Sequence, residues 1–154
     1  RDMKFQLEKA QDVFQEMLPL LSQHWEEISH YKDIALEPDI EAYFSLQMTG
    51  MLRVFTDRTP ENELVGYAVY FVRPHLHYKS SLNAFQYILY IRKDVRGLGG
   101  SFIFWCDDQL RKEGVQVVAQ HIKAAHNFGP LLEKVGYTLM DLIYVKRLDT
   151  PKEG

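Results

Sequence analysis

The six residues Arg96-Gly97-Leu98-Gly99-Gly100-Ser101 stand between an apolar run ending at Ile91 and a second apolar pattern beginning at Phe102. A glycine-rich turn that opens a helix gathers backbone N–H groups with no partner inside that helix, and the helix dipole adds partial positive charge. A phosphate or pyrophosphate is favoured at such a place. Glycine admits positive φ and lets backbone approach the ligand where a side chain would stand in the way. No Gly-Lys-Ser/Thr follows, so the turn is not a Walker loop, and its spacing does not match the dinucleotide pattern G-x-G-x-x-G.

Other residues carry chemistry in a less specific way. His75 and His77 are two apart, which on extended chain puts both rings on one side, and a neutral imidazole accepts protons near neutral pH. Two histidines alone under-ligate a metal, so no metal is expected. Tyr87, Tyr137 and Tyr144 are phenols that reach a substrate or thiol if they face a pocket, and belong to the core if they do not. Cys106 falls inside the apolar stripe of a helix and reads as buried and inert.

These groups need a frame to hold them. Met3 to Leu7 alternates as a first strand, and Ala10 to Ile28 carries an apolar stripe at helical spacing, with Pro19 as a kink. Pro38 suits the first turn of a second helix whose buried face is Ile40, Tyr43, Phe44 and Met48, ending at Gly50. Met51 to Thr56 and Leu64 to Val72 form a hairpin across the turn at residues 57–62, and Phe85 to Ile91 is a third strong strand. A helix runs from about Ser101 to Glu113, with Gly114 past its end, and Val115 to Gln120 is a short buried strand. Leu131, Leu132 and Val135 lie on a helix stopping at Gly136, and Leu139 to Leu148 closes the sheet. The order predicts one α/β domain over residues 1–154, with a mixed, mostly antiparallel sheet flanked by helices.

Composition sets the outer limits. The chain has 154 residues, 46% hydrophobic and 25% charged, with nine Tyr and nine Phe and a net charge of −3. That balance argues against a nucleic-acid partner. The single cysteine excludes an internal disulfide and a cysteine-based zinc site. No apolar run reaches the roughly 18 residues of a membrane span, and no signal-peptide pattern opens the chain. A cytoplasmic protein without a membrane partner is expected.

On the turn Arg96 to Ser101 the sequence resembles the GNAT superfamily of N-acetyltransferases. Their motif is Arg/Gln-x-x-Gly-x-Gly/Ala, opening a helix after the fourth strand, and Ser101 replaces the last Gly/Ala. Leu131-Leu132-Glu133-Lys134-Val135-Gly136-Tyr137 resembles the family's second landmark, a helix running into a Gly-aromatic pair. His75-x-His77-Tyr78 and Tyr144 to Leu148 add a likeness to small phage and prophage members. The resemblance implies an enzyme with acetyl-CoA as co-substrate. Its pyrophosphate would lie on the turn residues Arg96, Gly97, Leu98, Gly99, Gly100 and Ser101, and its pantetheine along the backbone of Ile91, with Asn127 either bonding the arm or capping a helix. The acceptor is a small-molecule or protein amine, and a homodimer is compatible with the resemblance.

The catalytic residues do not carry over. The family's supporting Glu or His corresponds to Phe85 and Tyr87, and its tyrosine acid to Leu132. Tyr87, His77 and Tyr137 are the candidates that remain, each with a packing or surface role as its alternative. Proximity alone supplies much of the rate in such an enzyme. A CoA-binding regulatory module and a tRNA-acetylating toxin are the competing readings.

Overall fold

The computed structural model describes residues 2–149. Its elements are β1 (Lys4–Glu8), α1 (Ala10–Ile28), α2 (Ile40–Met48), β2 (Leu52–Arg58), β3 (Leu64–Pro74) and β4 (Leu82–Ile91). A 3-10 turn (Lys93–Leu98) leads into α3 (Gly99–Lys112), then β5 (Val117–Ala119), a 3-10 turn (Ala124–His126) and α4 (Gly129–Lys134). The strands line up in chain order, antiparallel from β1 to β4 and parallel between β4 and β5. The expected mixed, mostly antiparallel sheet is present.

Strand alternation divides the core in two. Leu52, Val54, Tyr67, Val69 and Tyr90 pack with Val13, Met17 and Leu21 of α1. Phe55, Ala68, Tyr70 and Val72 pack with Phe102, Cys106 and Leu110 of α3 on the opposite face. Cys106 is fully buried and its thiol is pushed well up by that burial. Helix α1 stays continuous through Pro19, which is exposed. Its buried stripe includes Leu20 and His24, while Trp25, expected there, is half-buried. Gly114, at φ +94°, turns the chain out of α3 as expected.

Several expectations fail for identifiable reasons. Asp39, not Pro38, starts α2, because its carboxylate accepts the Ala42 N–H at 3.0 Å. Met48 is 87% exposed, and Leu46 packs on the core in its place. β5 is three residues long and partly exposed, since a strand pairs there on one side only. Leu139 to Leu148 forms no strand. With no ladder partner its apolar side chains stay open, from 67% at Ile143 to 91% at Tyr144. Arg147 anchors the far end of this segment by two bonds to the Asp33 carboxylate, at 2.7 and 2.8 Å.

Asp57 is fully buried, and neither carboxylate oxygen has a hydrogen-bond partner among the described residues. Burial pushes its pKa up to about 6. Between the unfolded value of about 3.9 and that figure the folded chain holds the extra proton, so this group's contribution to stability falls as pH rises. The shift corresponds to about 3 kcal/mol. Asp57→Asn should remove that slope. Urea melts at about pH 4 and about pH 7 should show the variant gaining roughly 2–3 kcal/mol on the parent at the higher pH. A difference independent of pH would contradict this assignment.

Candidate active site

β4 carries one residue more than its partner. Val69 pairs with Ile88 and Tyr70 with Gln86, which leaves Tyr87 as a bulge. On its other side β4 pairs with β5 only from Asn83 to Phe85, so the two strands part beyond that point and the β4 edge toward Ile91 has no strand beside it. His121 sits at the vertex. Its N–H donates to Gln86 Oε1 at 3.1 Å, its Nδ1 lies 3.1 Å from the Gln86 carbonyl, and its ring stacks on Phe85.

The glycine turn closes the lower end of this opening. None of Gly97, Gly99 or Gly100 has positive φ, contrary to one of the two roles expected for them. Two of the three instead make room for the protein's own side chains. A Cβ on Gly99 would lie 3.2 Å from Ile91 Cδ1, and one on Gly100 would lie 3.0 Å from Leu131 Cδ1, while a Cβ on Gly97 would meet nothing within 4 Å. The helix also starts two residues earlier than expected, at Gly99, because the 3-10 turn runs straight into it. Leu98 ends that turn, and the Gly99 N–H is already used by the Arg96 carbonyl. An α-helix supplies no acceptor of its own to the N–H groups of its first turn, which here include those of Gly100 and Ser101. No acidic residue occupies that turn.

Arg96 folds back over the opening. Its Nε and Nη2 donate to the Ile91 carbonyl at 3.0 and 2.8 Å, and Nη2 also meets Glu27 Oε1 at 3.1 Å. The backbone of Ile91 is the stretch expected beside a pantetheine, and its carbonyl is engaged within the protein. The Tyr90 hydroxyl donates to Glu27 Oε2 at 2.9 Å. Burial opposes ionisation of Glu27, but the bonds from Tyr90 and Arg96 outweigh it and hold the carboxyl below its ordinary range.

A cleft of about 300 Å³ runs through this region. Gly99, Ile103, Asn127, Phe128 and Leu131 line one wall, Leu89, Tyr90 and Ile91 the middle, and His24, Glu27 and Ile28 of α1 the other wall. Of the residues expected to hold a cofactor, Ile91, Arg96, Gly99 and Asn127 line it. Asn127 is not the N-cap of α4, a position that Phe128 holds, but its Oδ1 accepts the Gly129 N–H at 2.7 Å just ahead of that helix.

The three tyrosine and histidine candidates lie outside this lining. The Tyr87 ring packs on Phe71 at 4.9 Å and is 53% exposed. His77 is exposed in the β3–β4 loop, where its N–H donates to His75 Nδ1 at 3.0 Å. The Tyr137 hydroxyl donates to Asp107 Oδ1 at 2.6 Å and lies 3.3 Å from Gln120 Nε2, which also donates to Tyr70. Burial and the bond to Asp107 together push the Tyr137 phenol up, so its proton is firmly held. Tyr144 stands open on the C-terminal segment.

Four polar wall residues escaped the sequence reading: His24, Glu27, Tyr90 and His126. The signal for His24 was present, since it follows Met17, Leu20 and Leu21 by seven, four and three residues and so falls in the buried stripe of α1. The parting of β4 from β5 left none, because it depends on where two strands distant in sequence stop pairing.

The architecture matches solved proteins over almost its whole length. A ribosomal-protein-alanine N-acetyltransferase from Brucella melitensis biovar Abortus 2308 superposes with a TM-score of 0.70 at 19% identity, over 96% of this chain and 99% of that one. An aminoglycoside acetyltransferase from an uncultured soil metagenomic sample, solved with trehalose, gives 0.74 at 17% identity, over 97% of each chain. A predicted acetyltransferase from Clostridium acetobutylicum, solved with acetyl-CoA, gives 0.72 at 11% identity, over 95% and 96%. The chain has the GNAT fold. No family model and no curated protein matches its sequence. In this chain the glycine turn follows β4, the fourth strand, and leads into α3. Among the described residues no helix is long and apolar enough to cross a membrane.

Proposed function

We propose that the chain is an N-acetyltransferase that moves the acetyl group of acetyl-CoA to a primary amine by direct attack. The observation that carries this reading is the cleft itself. It runs from the start of α3 at Gly99, along the unpaired edge of β4, to a polar wall on α1. The first turn suits a pyrophosphate, and an unpaired strand edge suits the amide groups of a pantetheine arm. Gly100 and Ser101 would hold the pyrophosphate through N–H groups, and Asn127 and Phe128 would flank the arm. Thioester and amine are then confined together, and confinement of two reactants supplies a large share of the rate. Tyr87, exposed at the bulge, would meet the acceptor only outside the cleft lining.

A CoA-binding module without turnover is the second reading. It draws on Leu132, buried where the family has its tyrosine acid, and on Tyr137, whose proton is committed to Asp107. Incubation with acetyl-CoA and a panel of primary amines, polyamines, aminoglycosides and peptide N-termini separates the two. Release of free CoA thiol that depends on the amine is expected. Acetyl-CoA binding without thiol release from any acceptor would favour the module.

A further inference from the structure

His24 is the only imidazole that α1 contributes to the cleft. It is 7% exposed, yet neither ring nitrogen makes a hydrogen bond among the described residues. Neither nitrogen is sealed off without a partner either, as the oxygens of Asp57 are, so the polar edge of the ring opens to the cleft. One ring face stacks on Tyr90, with centroids 4.8 Å apart and planes at 27°, and Tyr90 is itself fixed to Glu27. The ring is thus held by its face and free at its edge.

The groups around it are Glu27 on its own helix, Tyr90 on β4, Arg96 on the glycine turn, and Lys123 and His126 on the segment before α4. Burial lowers the pKa of His24 to about 4, with Glu27 opposing and Arg96, His126 and Lys123 assisting. The ring is therefore neutral, with a free lone pair, near neutral pH.

We propose that His24 is the proton shuttle of acetyl transfer, carrying the proton shed by the acceptor nitrogen to the departing sulfur. This rests on the acetyltransferase reading. The amine arrives as the free base, having lost its first proton to solvent. Its nitrogen lone pair forms the C–N bond to the thioester carbonyl carbon, and the nitrogen, now cationic, becomes acidic enough for a weak base to accept its proton. The C–S bond breaks with both electrons leaving on sulfur. The proton on His24 then passes to that sulfur, giving free CoA thiol and amide and restoring the neutral ring. Transfer from a weakly basic imidazolium to a thiolate, whose conjugate acid has a pKa of about 8.5, is downhill.

The test uses the full chain and whichever amine gives turnover. His24→Gln and His24→Ala should each lower kcat about 100-fold or more while KM for acetyl-CoA changes less than about threefold, the range expected for loss of a positioned acid–base. Added imidazole should restore His24→Ala in proportion to its concentration, an effect that a packing role would not give. Turnover within about threefold of the parent in both variants would overturn the shuttle. So would a loss of acetyl-CoA affinity, measured by calorimetry, that accounts for the whole fall in rate. If His24→Ala fails to fold, His24→Gln alone decides through the split between kcat and KM. Absence of thiol release from the parent with every amine would instead sink the acetyltransferase reading, and the shuttle with it.

Discussion

Ser101→Glu should weaken acetyl-CoA binding about 100-fold or more and leave the folded chain at least as stable. Ser101 is exposed on the first turn of α3, beside the N–H groups left without helical acceptors. A carboxylate in that position is favourable for the helix alone, by about 0.3–1 kcal/mol, because it faces the positive end of the dipole. For a bound pyrophosphate the same carboxylate is a like charge. At about 5 Å and an effective dielectric constant of about 20, each pair of unit charges repels by about 3 kcal/mol, which is about two orders of magnitude in affinity. Ser101→Ala, which adds no charge, should stay within about threefold of the parent. Calorimetric titration and thermal melts on the same samples check both halves. An Ser101→Glu protein that binds acetyl-CoA as the parent does would remove the pyrophosphate from this turn.

The largest effect on stability is expected at Arg58, far from the cleft. Its side chain is 5% exposed. Nε and Nη2 donate to Glu8 at 2.9 and 3.1 Å, Nη1 and Nη2 donate to Glu16, both at 2.8 Å, and Nη1 also reaches the Asn62 carbonyl at 3.0 Å. One guanidinium thus ties β1, α1 and the β2–β3 turn to β2. Arg58→Met keeps the apolar stem and deletes the charge, leaving the two carboxylates facing each other, with Glu8 bonded only to Thr56. Breaking a buried ion pair from one side costs about 3–5 kcal/mol.

The pH dependence follows from the same contacts. Burial opposes ionisation of Glu8, but its bonds from Arg58 and Thr56 hold it below the ordinary carboxylate range, and the Arg58 bond does the same for Glu16. Carboxyls lowered in the folded state stabilise it above their unfolded value of about 4.3, and that gain is lost as pH falls through the folded value. The cost of Arg58→Met should therefore be greatest near about pH 7 and shrink toward about pH 3. Urea melts across that range decide it, and a cost below about 1 kcal/mol at neutral pH would contradict the account.

Features set by local chemistry were readable in the sequence. The bounds of α1 follow from its apolar spacing, α3 from the pattern after Phe102, and the glycine turn from its composition and its place between a strand and a helix. What depended on distant partners was not. Leu139 to Leu148 has strand-forming residues, but a strand also needs an edge to pair with, and no local pattern reports that. The Tyr87 bulge arises from register against β3, and the fork from where β5 stops pairing with β4. The glycines of the turn stand between strand and helix as read, but without the positive φ expected of them, and Gly99 and Gly100 make room for Ile91 and Leu131, which no local pattern reports. His24 was passed over because a histidine in a helix reads as a break in the apolar stripe unless the stripe is allowed to include it.

The most direct test of the central claim is a crystal structure of the full chain with acetyl-CoA. The pyrophosphate oxygens should lie about 3 Å from the backbone nitrogens of Gly100 and Ser101, with the pantetheine along the unpaired edge of β4 and the thioester in the cleft that His24 lines. A complex with its pyrophosphate elsewhere on the surface, and the first turn of α3 untouched, would contradict the account.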